Sequence, residues 1–309
     1  RLKADKVAHM NAPLIVDLDG TLSKSDGLVD AFVTTALRRP SQLGRATRAL
    51  ARSRYAFKMA LAESYAPHAM PLRAELLDYI RAQKAAGREV HLVTASPQAV
   101  ADAVAQRVGL FDSAVGSSDG VNLKGAAKAD YLRRRFPDGF VYAGDDKSDL
   151  DVWRHAAGVV TVAASDSVAQ AAQALGVAVE RRFPREPADL GVWLRQLRLH
   201  QWSKNLLLFA PLALAHRYGD LHAALRVALG FLCMGLFASA TYIVNDLSDL
   251  EADRLHATKR TRPLAAARIT AAQGAGAAAG LAGVALVGGA LLDPLFALCL
   301  LAYGALTLS

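Results

Sequence analysis

The stretch at residues 14–21 reads LIVDLDGT and decides how the first half of the chain folds. Its first three residues, Leu14, Ile15 and Val16, predict a short buried strand, and two carboxylates, Asp17 and Asp19, follow at the end of that strand. Further apolar runs alternate with helix-like stretches and lie at residues 90–93, 140–142 and 159–162. Strands that alternate with helices indicate an α/β fold with a doubly wound parallel sheet.

Polar residues follow three of the predicted strands. They are Asp17, Thr94 and Asp145, and we expect them to converge because ligands of open parallel sheets bind at the carboxyl ends of the strands. About 75 positions, rich in Ala, Arg and Leu, separate Asp19 from Thr94, which is far more than one crossover connection needs. This excess predicts a helical cap near residues 23–86.

Two carboxylates at the end of a strand suit phosphoryl chemistry. Asp17 can attack phosphorus while Asp19 gives a proton to the leaving oxygen. Two anions beside a phosphate repel one another unless a cation such as Mg²⁺ neutralises them, and Asp145 with Asp149 would complete an oxygen ligand set. The stretch therefore predicts a magnesium-dependent phosphate site.

These motifs, in this order, resemble the haloacid dehalogenase superfamily over roughly residues 12–180. The resemblance implies phosphatase or phosphomutase chemistry, because the dehalogenases of that superfamily lack the second aspartate. The roles that it implies are the nucleophile Asp17, the general acid/base Asp19, the phosphate contacts Thr94 and Lys128, and the Mg²⁺ ligands Asp17, Asp145 and Asp149, helped by the carbonyl of Asp19.

Two of these assignments have alternatives. Lys124 competes with Lys128, which we favour because it stands at a predicted helix start. Ser96 can replace Thr94, although it lies further from the expected end of the strand. Asp146 is expected to be a solvated neighbour of the site rather than a ligand.

Composition changes along the chain. Of the 309 residues, 53% are apolar and 21% charged, but residues 190–309 hold 16 charged residues against 48 in the 189 residues before them. We expect a phosphatase-like domain at residues 1–180, a linker with two prolines at 181–189, and a partial, all-α transmembrane domain at 190–309. The net charge of +8 divides evenly, as +4 and +4, which argues against a nucleic-acid partner.

Several apolar runs in the second part predict membrane-spanning helices, at residues 205–215, 227–244 and 269–292 and from Pro294 onward. Residues 190–201 have an apolar face opposite two arginines, which is typical of an interfacial helix. The loop at residues 254–268 is the most basic and is therefore expected on the cytoplasmic side. This predicts a multi-pass protein of the inner (plasma) membrane with its N-terminal domain in the cytoplasm.

Asn245, Asp249 and Asp253 recur every four residues and so share one helix face. Like charges in this arrangement are costly unless a cation such as Mg²⁺ lies between them, and carboxylates at a membrane helix end are functional by default. The following basic run can hold phosphates and consists of Arg254, Lys259, Arg260 and Arg262. The pattern predicts a site for a diphosphate-activated substrate.

Residues 245–263 resemble the UbiA superfamily of intramembrane transferases and, in detail, its decaprenyl-phosphate phosphoribosyltransferase branch, as does QWSKN at residues 201–205. Ala257 departs from that branch, which usually has proline there. The resemblance implies Mg²⁺, a polyprenyl (di)phosphate lipid and phosphoribosyl diphosphate as partners. Because the superfamily's second acidic motif is not in this sequence, we expect the stretch to act only within a longer protein.

The leading hypothesis is a bifunctional membrane enzyme that transfers a phosphoribosyl group to a polyprenyl phosphate and removes a phosphate. Two alternatives stay open. The second domain can be a prenyltransferase that moves a polyprenyl chain from its diphosphate to an aromatic acceptor. The first can be a module that binds phosphorylated metabolites without turnover.

Overall fold

The computed structural model describes residues 12–217 and 219–308. The chain divides into two compact units between Pro187 and Ala188. The first unit contains all six strands and the second is helical within the described residues.

The first unit is built on a six-stranded, wholly parallel sheet in the order β3-β2-β1-β4-β5-β6. Its strands are β1 (Leu14–Val16), β2 (Val90–Pro97), β3 (Ser113–Ser117), β4 (Val141–Gly144), β5 (Gly158–Val162) and β6 (Ala178–Phe183). The order reverses at β1, so the carboxyl ends of β1 and its neighbours β2 and β4 border one crevice. The expected doubly wound sheet is confirmed.

The strands that the apolar runs predict are the four central ones, because a strand covered on both faces must be apolar throughout. The two edge strands, β3 and β6, escaped the sequence analysis. Ser113–Ser117 is built of small residues, and five of the six residues of Ala178–Phe183 are exposed. The expected linker at 181–189 therefore began too early, since its first three residues belong to an edge strand in which exposed arginines are tolerated.

Helices cover both faces of the sheet. They are α4 (Ala74–Ala85), α5 (Gln98–Val108), α6 (Ala126–Arg135), α7 (Leu150–Trp153) and α8 (Asp166–Ala174). Successive β1 residues point to opposite faces: Leu14 packs in one core cluster with Leu76 and Ile80, and Ile15 packs in another with Trp153. The sheet is thus anchored from both sides, which fixes the position of Asp17.

A helical cap follows β1. It comprises α1 (Gly27–Arg38), α2 (Pro40–Arg52), α3 (Arg54–Ala60) and two short 3₁₀ turns at Ala62–Ser64 and Pro67–Ala69. The predicted limits of 23–86 reach too far, because α4 packs against the sheet through Leu76 and Ile80.

The second unit consists of helices. They are α9 (Leu190–Leu197), a 3₁₀ segment (Leu199–Phe209), α10 (Ala210–Leu214), α11 (Leu221–Ser248), α12 (Leu250–Leu255), a 3₁₀ turn (Lys259–Thr261), α13 (Ala271–Leu292) and α14 (Pro294–Leu308). Among the described residues, α11 and α13 are long and apolar enough to cross a membrane, with mean hydropathies of 2.0 and 1.9. Helix α11 contains the predicted span at 227–244, and α13 covers the predicted span at 269–292 except for its first two residues.

The predicted span at residues 205–215 is not one α-helix. The chain passes from the 3₁₀ segment into the five-residue α10. Pro211 lies at the start of α10, where its missing N–H is tolerated but an α-helix arriving from Leu199–Phe209 could not continue through it.

Candidate functional site

Asp17 lies directly after β1, and its backbone N–H donates to the Ala143 carbonyl of β4 at 3.0 Å. The chain then turns sharply at Gly20, which has a φ of +75°. A Cβ at Gly20 would lie 2.2 Å from Asp145 Oδ2. Glycine is therefore required at position 20 for two reasons: its positive φ, and the close approach of the Asp145 carboxylate.

Asp19 is held by two hydrogen bonds at the mouth of the cap. Its Oδ2 accepts from Ser96 Oγ at 2.7 Å, and its Oδ1 accepts from the backbone N–H of Gly27 at 2.8 Å. Burial, together with the nearby charge of Asp26, raises the pKa of Asp19 to about 7. The carboxyl group can therefore carry a proton near neutral pH, as a general acid must.

Lys128 reaches Asp17 from α6. Its Nζ lies 2.9 Å from Asp17 Oδ1 and donates to the Tyr142 hydroxyl at 2.7 Å, with the side chain only 2% exposed. Lys124 is half exposed and pairs with Asp146 at 3.5 Å. The structure thus brings Lys128 to the expected nucleophile and leaves Lys124 at the rim with Asp146.

Thr94 does not face this crevice. Its side chain is fully buried, and its Oγ1 accepts a hydrogen bond from the backbone N–H of Ser96 at 3.0 Å. Strand β2 continues to Pro97 with a register shift after Val93, so the end of the strand lies four residues beyond the apolar run. Ser96, the alternative from the sequence, lines the cavity and reaches Asp19, whereas the role of Thr94 as a phosphate contact stays a prediction.

Three carboxylates converge beside the nucleophile. Ligand oxygens of Asp17, Asp145 and Asp149 lie within 4.8 Å of one another. Burial, followed by the charges of Asp149 and Asp17, raises the pKa of Asp145 well above its usual range. Burial and the charge of Asp17 raise the pKa of Asp149 to about 6. The crowding of anionic oxygens fits a hard divalent cation such as Mg²⁺.

Two carboxylates of this cluster also accept hydrogen bonds from neighbouring groups. Asp149 accepts from the Tyr142 hydroxyl and from the backbone N–H groups of Asp145 and Asp146, each at 3.0 Å, and Asp145 accepts from Thr21 Oγ1 at 2.9 Å. These bonds orient the carboxylates before any ion binds. The Asp19 side chain is not part of the cluster, and the ligand role of its carbonyl stays a prediction.

Core and cap together enclose a cavity of about 520 Å³ above these residues. The sequence analysis missed Lys58, which enters it from α3 and donates to the Ala95 carbonyl at 2.5 Å and to Asn122 Oδ1 at 2.7 Å. Burial lowers the pKa of Lys58 to about 8. The sequence gives no reason to single out Lys58, because it is one of seven basic residues in a cap that contains no distinguishing motif.

The second constellation is local. Asn245, Asp249 and Asp253 are joined by successive backbone hydrogen bonds four residues apart, at 2.9 and 2.8 Å, and Asn245 Nδ2 lies 3.5 Å from Asp249 Oδ2. They span the junction between α11 and α12, where Asp249 is the boundary residue.

Asp253 is paired with cations. It is 2% exposed, its Oδ2 accepts from Arg262 at 2.7 Å, and its Oδ1 lies 3.6 Å from Lys259 Nζ. Within residues 12–217 and 219–308, no acidic group like that of the first unit includes Asp249 or Asp253. The role of these two carboxylates as magnesium ligands stays a prediction.

The sequence analysis also missed Asp246, because this residue is not part of the series Asn245, Asp249, Asp253 in which acidic or amide residues recur every four positions. This carboxylate is 3% exposed and accepts from Gln196 at 2.9 Å, Arg198 at 2.5 Å and Arg262 at 3.2 Å. Arg262 therefore bridges Asp246 and Asp253. Of the other predicted diphosphate contacts, Arg254 donates to the Ala265 carbonyl at 3.3 Å and Arg260 is exposed.

Two family models match the chain. Residues 14–154 match the haloacid dehalogenase-like hydrolase family, and residues 206–309 match the UbiA prenyltransferase family. The apo form of phosphoserine phosphatase is a similar solved structure, with a TM-score of 0.42 and 13% identity, and the alignment covers 57% of this chain and 94% of that one.

Curated relatives span both parts. A Sinorhizobium fredii protein named "Uncharacterized protein y4nM" is 45% identical over 299 residues, which are 96% of this chain and 58% of that one. The decaprenyl-phosphate phosphoribosyltransferase of Mycobacterium tuberculosis is 40% identical over 129 residues, 40% of this chain and 42% of that protein. The chain thus spans about half the length of these relatives. It carries a haloacid dehalogenase-like hydrolase domain at residues 14–154, followed by a UbiA prenyltransferase family domain at residues 206–309.

Proposed function

We propose that the first unit is a magnesium-dependent phosphomonoesterase that works through an aspartyl-phosphate. The observation that carries the proposal is the arrangement around Asp17, whose carboxylate lies 2.9 Å from Lys128 and within a cluster with Asp145 and Asp149. A protonatable Asp19 borders the same cavity.

The first half-reaction forms a bond between an Asp17 carboxylate oxygen and phosphorus while the ester bond to the leaving oxygen breaks. Asp19 gives its proton to that oxygen, so the product leaves as a neutral alcohol. Ser96 keeps Asp19 oriented, and Lys128 offsets the charge of Asp17. In the second half, Asp19 takes a proton from water, the resulting hydroxide displaces Asp17 from phosphorus, and inorganic phosphate leaves.

Asp17, Asp145 and Asp149 would hold the Mg²⁺, which would screen the incoming phosphate from the carboxylates. A module that only binds phosphorylated metabolites is the weaker alternative, because such a module has no use for a nucleophile placed beside a proton donor.

For the second unit, we propose transfer from a diphosphate-activated substrate, specifically of a phosphoribosyl group to a polyprenyl phosphate. The support is the similarity to decaprenyl-phosphate phosphoribosyltransferases together with the basic run beside Asp253. Prenyl transfer to an aromatic acceptor is the second candidate, and the name of the matching family favours it.

The two proposed activities form a sequence. Transfer of a 5-phosphoribosyl group leaves a terminal phosphomonoester on the lipid product, which is the bond that the first unit would cleave. A phosphatase tethered to the transferase meets this product at a high effective concentration.

We further propose a multi-pass plasma-membrane protein with the first unit in the cytoplasm, on the side of the basic loop at 254–268. This orientation requires that Leu199–Leu214 cross the bilayer. At about 2 Å per residue in its 3₁₀ part, the segment reaches about 30 Å when straight, the thickness of the hydrocarbon core. Leu206, Leu207 and Leu214 are at least 57% exposed, as lipid contact requires.

Hydrolysis of an aryl phosphate by the purified full chain tests the phosphatase proposal. Activity is expected with Mg²⁺ and is expected to fall at least about 10³-fold in Asp17→Asn. Asp146→Asn is the matched control, since Asp146 lies nearby but pairs with Lys124. Activity that survives in Asp17→Asn would remove the assigned nucleophile.

Membranes that contain the full-length protein test the transferase proposal. With phosphoribosyl diphosphate and polyprenyl phosphate they are expected to form lipid-linked phosphoribose, which stays phosphorylated in Asp17→Asn. Absence of any lipid product would contradict the phosphoribosyl proposal, and product formation from polyprenyl diphosphate and an aromatic acceptor would favour prenyl transfer.

A further inference from the structure

The cap of the first unit carries a one-sided charge. Residues 27–69, from the start of α1 to the end of the second 3₁₀ turn, contain seven Lys/Arg and two Asp/Glu. The first 189 residues hold 26 Lys/Arg and 22 Asp/Glu, so without this segment 19 basic residues remain against 20 acidic ones. The excess positive charge of the first unit therefore lies in the cap.

Six of the seven basic residues are exposed and are here called the arginine face. They are Arg38, Arg39, Arg45, Arg48, Arg52 and Arg54. The seventh, Lys58, is buried in the cavity.

Five arginines of the face lack an ion pair. In the described part of the chain, no ion pair involves Arg39 or any of the four arginines that follow it in this face. Two other exposed arginines of the same unit do have acidic partners: Arg81 pairs with Asp78 at 2.6 Å, and Arg154 pairs with Asp151 at 2.9 Å. The five arginines are therefore available to an anionic surface outside the unit.

The orientation of the face is fixed by packing. Arg45, Arg48 and Arg52 are three and four residues apart on α2 and so share one side of that helix. Ala46, on the other side, is 1% exposed and belongs to the main core cluster. The arginines therefore point into solvent as a group, although like charges at this spacing cost stability.

We propose that the arginine face docks the first unit on a bilayer surface that contains anionic lipids. Clusters of four to eight basic residues bind such surfaces by electrostatic attraction, which grows with each residue near the headgroups. The same chain carries α11 and α13, each long and apolar enough to cross a membrane. A bilayer is thus the polyanionic surface that this chain keeps at a high local concentration.

Docking has a consequence for the cavity. Arg54 belongs to the arginine face and also lines the cavity, as does Leu50 of α2. The docked face therefore adjoins the mouth of the cavity. If the phosphatase substrate is the lipid-linked phosphoester of the proposed function, docking brings the catalytic carboxylates to the level of its headgroup; the docking itself does not depend on that function.

Hydrogen exchange of the full chain in lipid nanodiscs tests the proposal. One set of nanodiscs contains phosphatidylcholine alone and the other phosphatidylcholine with phosphatidylglycerol. Amides at residues 38–54 are expected to exchange at least about tenfold more slowly in the anionic nanodiscs, and high salt is expected to remove the difference.

The triple variant Arg45→Glu, Arg48→Glu, Arg52→Glu is expected to lose this protection. The matched control, Arg133→Glu with Arg134→Glu, reverses two exposed arginines on α6 and is expected to keep it. Hydrolysis of an aryl phosphate in detergent reports whether each variant is folded, because none of the substituted residues lines the cavity. If the unmodified chain hydrolyses no aryl phosphate, the proposed function is contradicted, but the exchange experiment still tests the docking proposal.

Equal exchange at residues 38–54 in the two kinds of nanodisc would overturn the proposal. So would the same protection on adding a short RNA to phosphatidylcholine nanodiscs, since the face would then belong to a nucleic-acid site. Retained protection in the triple variant would also contradict it.

Discussion

The two units both bring carboxylates close to cations, but with opposite charge balance. In the first unit, Asp17, Asp145 and Asp149 crowd together, and Lys128 contacts one of them. In the second, Asp246 and Asp253 already share Arg262. The first site has excess negative charge, whereas the second is neutralised by its own side chains.

This difference shows what each site must do to bind an anionic substrate. The first needs only a cation to complete it. In the second, Arg262 contacts both carboxylates through Nη1, so a diphosphate bound by this arginine would share it with an internal ion pair.

After loss of the nucleophile Asp17, the largest effect is expected from Asp19→Asn, which removes the proton donor of the first site. The rate of hydrolysis should fall about 10²- to 10⁴-fold, and more for alkyl than for aryl phosphates, since a poor leaving group needs the proton more. Because the pKa of Asp19 is raised to about 7, the proton is lost above that pH and the rate of the unmodified protein should fall as pH rises further. This alkaline limb should be missing from the pH profile of Asp19→Asn; a limb that persists would assign it to another group.

Replacing the buried carboxylate of Asp246 should destabilise the second unit. Asp246→Asn leaves Arg198 and Arg262 without the charge that they share, and should lower the free energy of unfolding by about 3 kcal/mol. Asp249→Asn is the control and should cost far less, because Asp249 is only partly buried. Thermal unfolding in detergent measures both; equal effects would mean that Asp246 is not the centre of this network.

In the first unit, neutralising a carboxylate of the cluster should increase stability. Mg²⁺ at 100 times its dissociation constant should stabilise it by about 2.7 kcal/mol, and without Mg²⁺ Asp145→Asn should be more stable than the unmodified chain. The usual pKa of 3.8 for Asp149 is raised to about 6, so between these values the unfolded chain binds fewer protons than the folded one. Metal-free stability should therefore fall as pH rises from about 4 to about 6. Melting curves with Mg²⁺ and with a chelator test this, and a metal-free fold that gains stability over that range would contradict the crowding of carboxylates.

The smallest effect concerns the two hydroxyls of β2. Ser96→Ala should lower the rate of hydrolysis about tenfold and move the alkaline limb to higher pH, because the Ser96 hydrogen bond lowers the pKa of Asp19. Thr94→Val should leave the limb in place, since the Thr94 hydroxyl accepts from the backbone N–H of Ser96 within β2 and not from Asp19. A limb that moves in Thr94→Val and not in Ser96→Ala would favour Thr94 over Ser96 as the hydroxyl of the site.

Sequence reasoning succeeded where residue types are dictated by burial or by chemistry. The four central strands had to be apolar, and the order of the acidic motifs indicated both the fold and the residues that meet at β1. It failed at the edge strands, where exposure permits Ser113 or Arg181. It also misplaced the end of β2, because the strand continues past its apolar run into polar residues.

The site residues that it missed depend on tertiary contacts. Lys58 reaches the cavity only because the cap folds over the sheet, and nothing in the sequence separates it from the six arginines of the exposed face. Asp246 stands beside Asn245 in the sequence, but its role follows from Gln196 and Arg198, some 50 positions away.

Detection of the phosphoryl group on Asp17 is the most direct test of the central claim. The full chain is mixed with an aryl phosphate and Mg²⁺, quenched rapidly in acid and digested, and the peptide that contains residues 14–21 is examined by mass spectrometry. We expect one phosphate on Asp17, absent in Asp17→Asn and in metal-free protein. Steady hydrolysis with no phosphate on Asp17 in the unmodified chain at any quench time would contradict the aspartyl-phosphate mechanism.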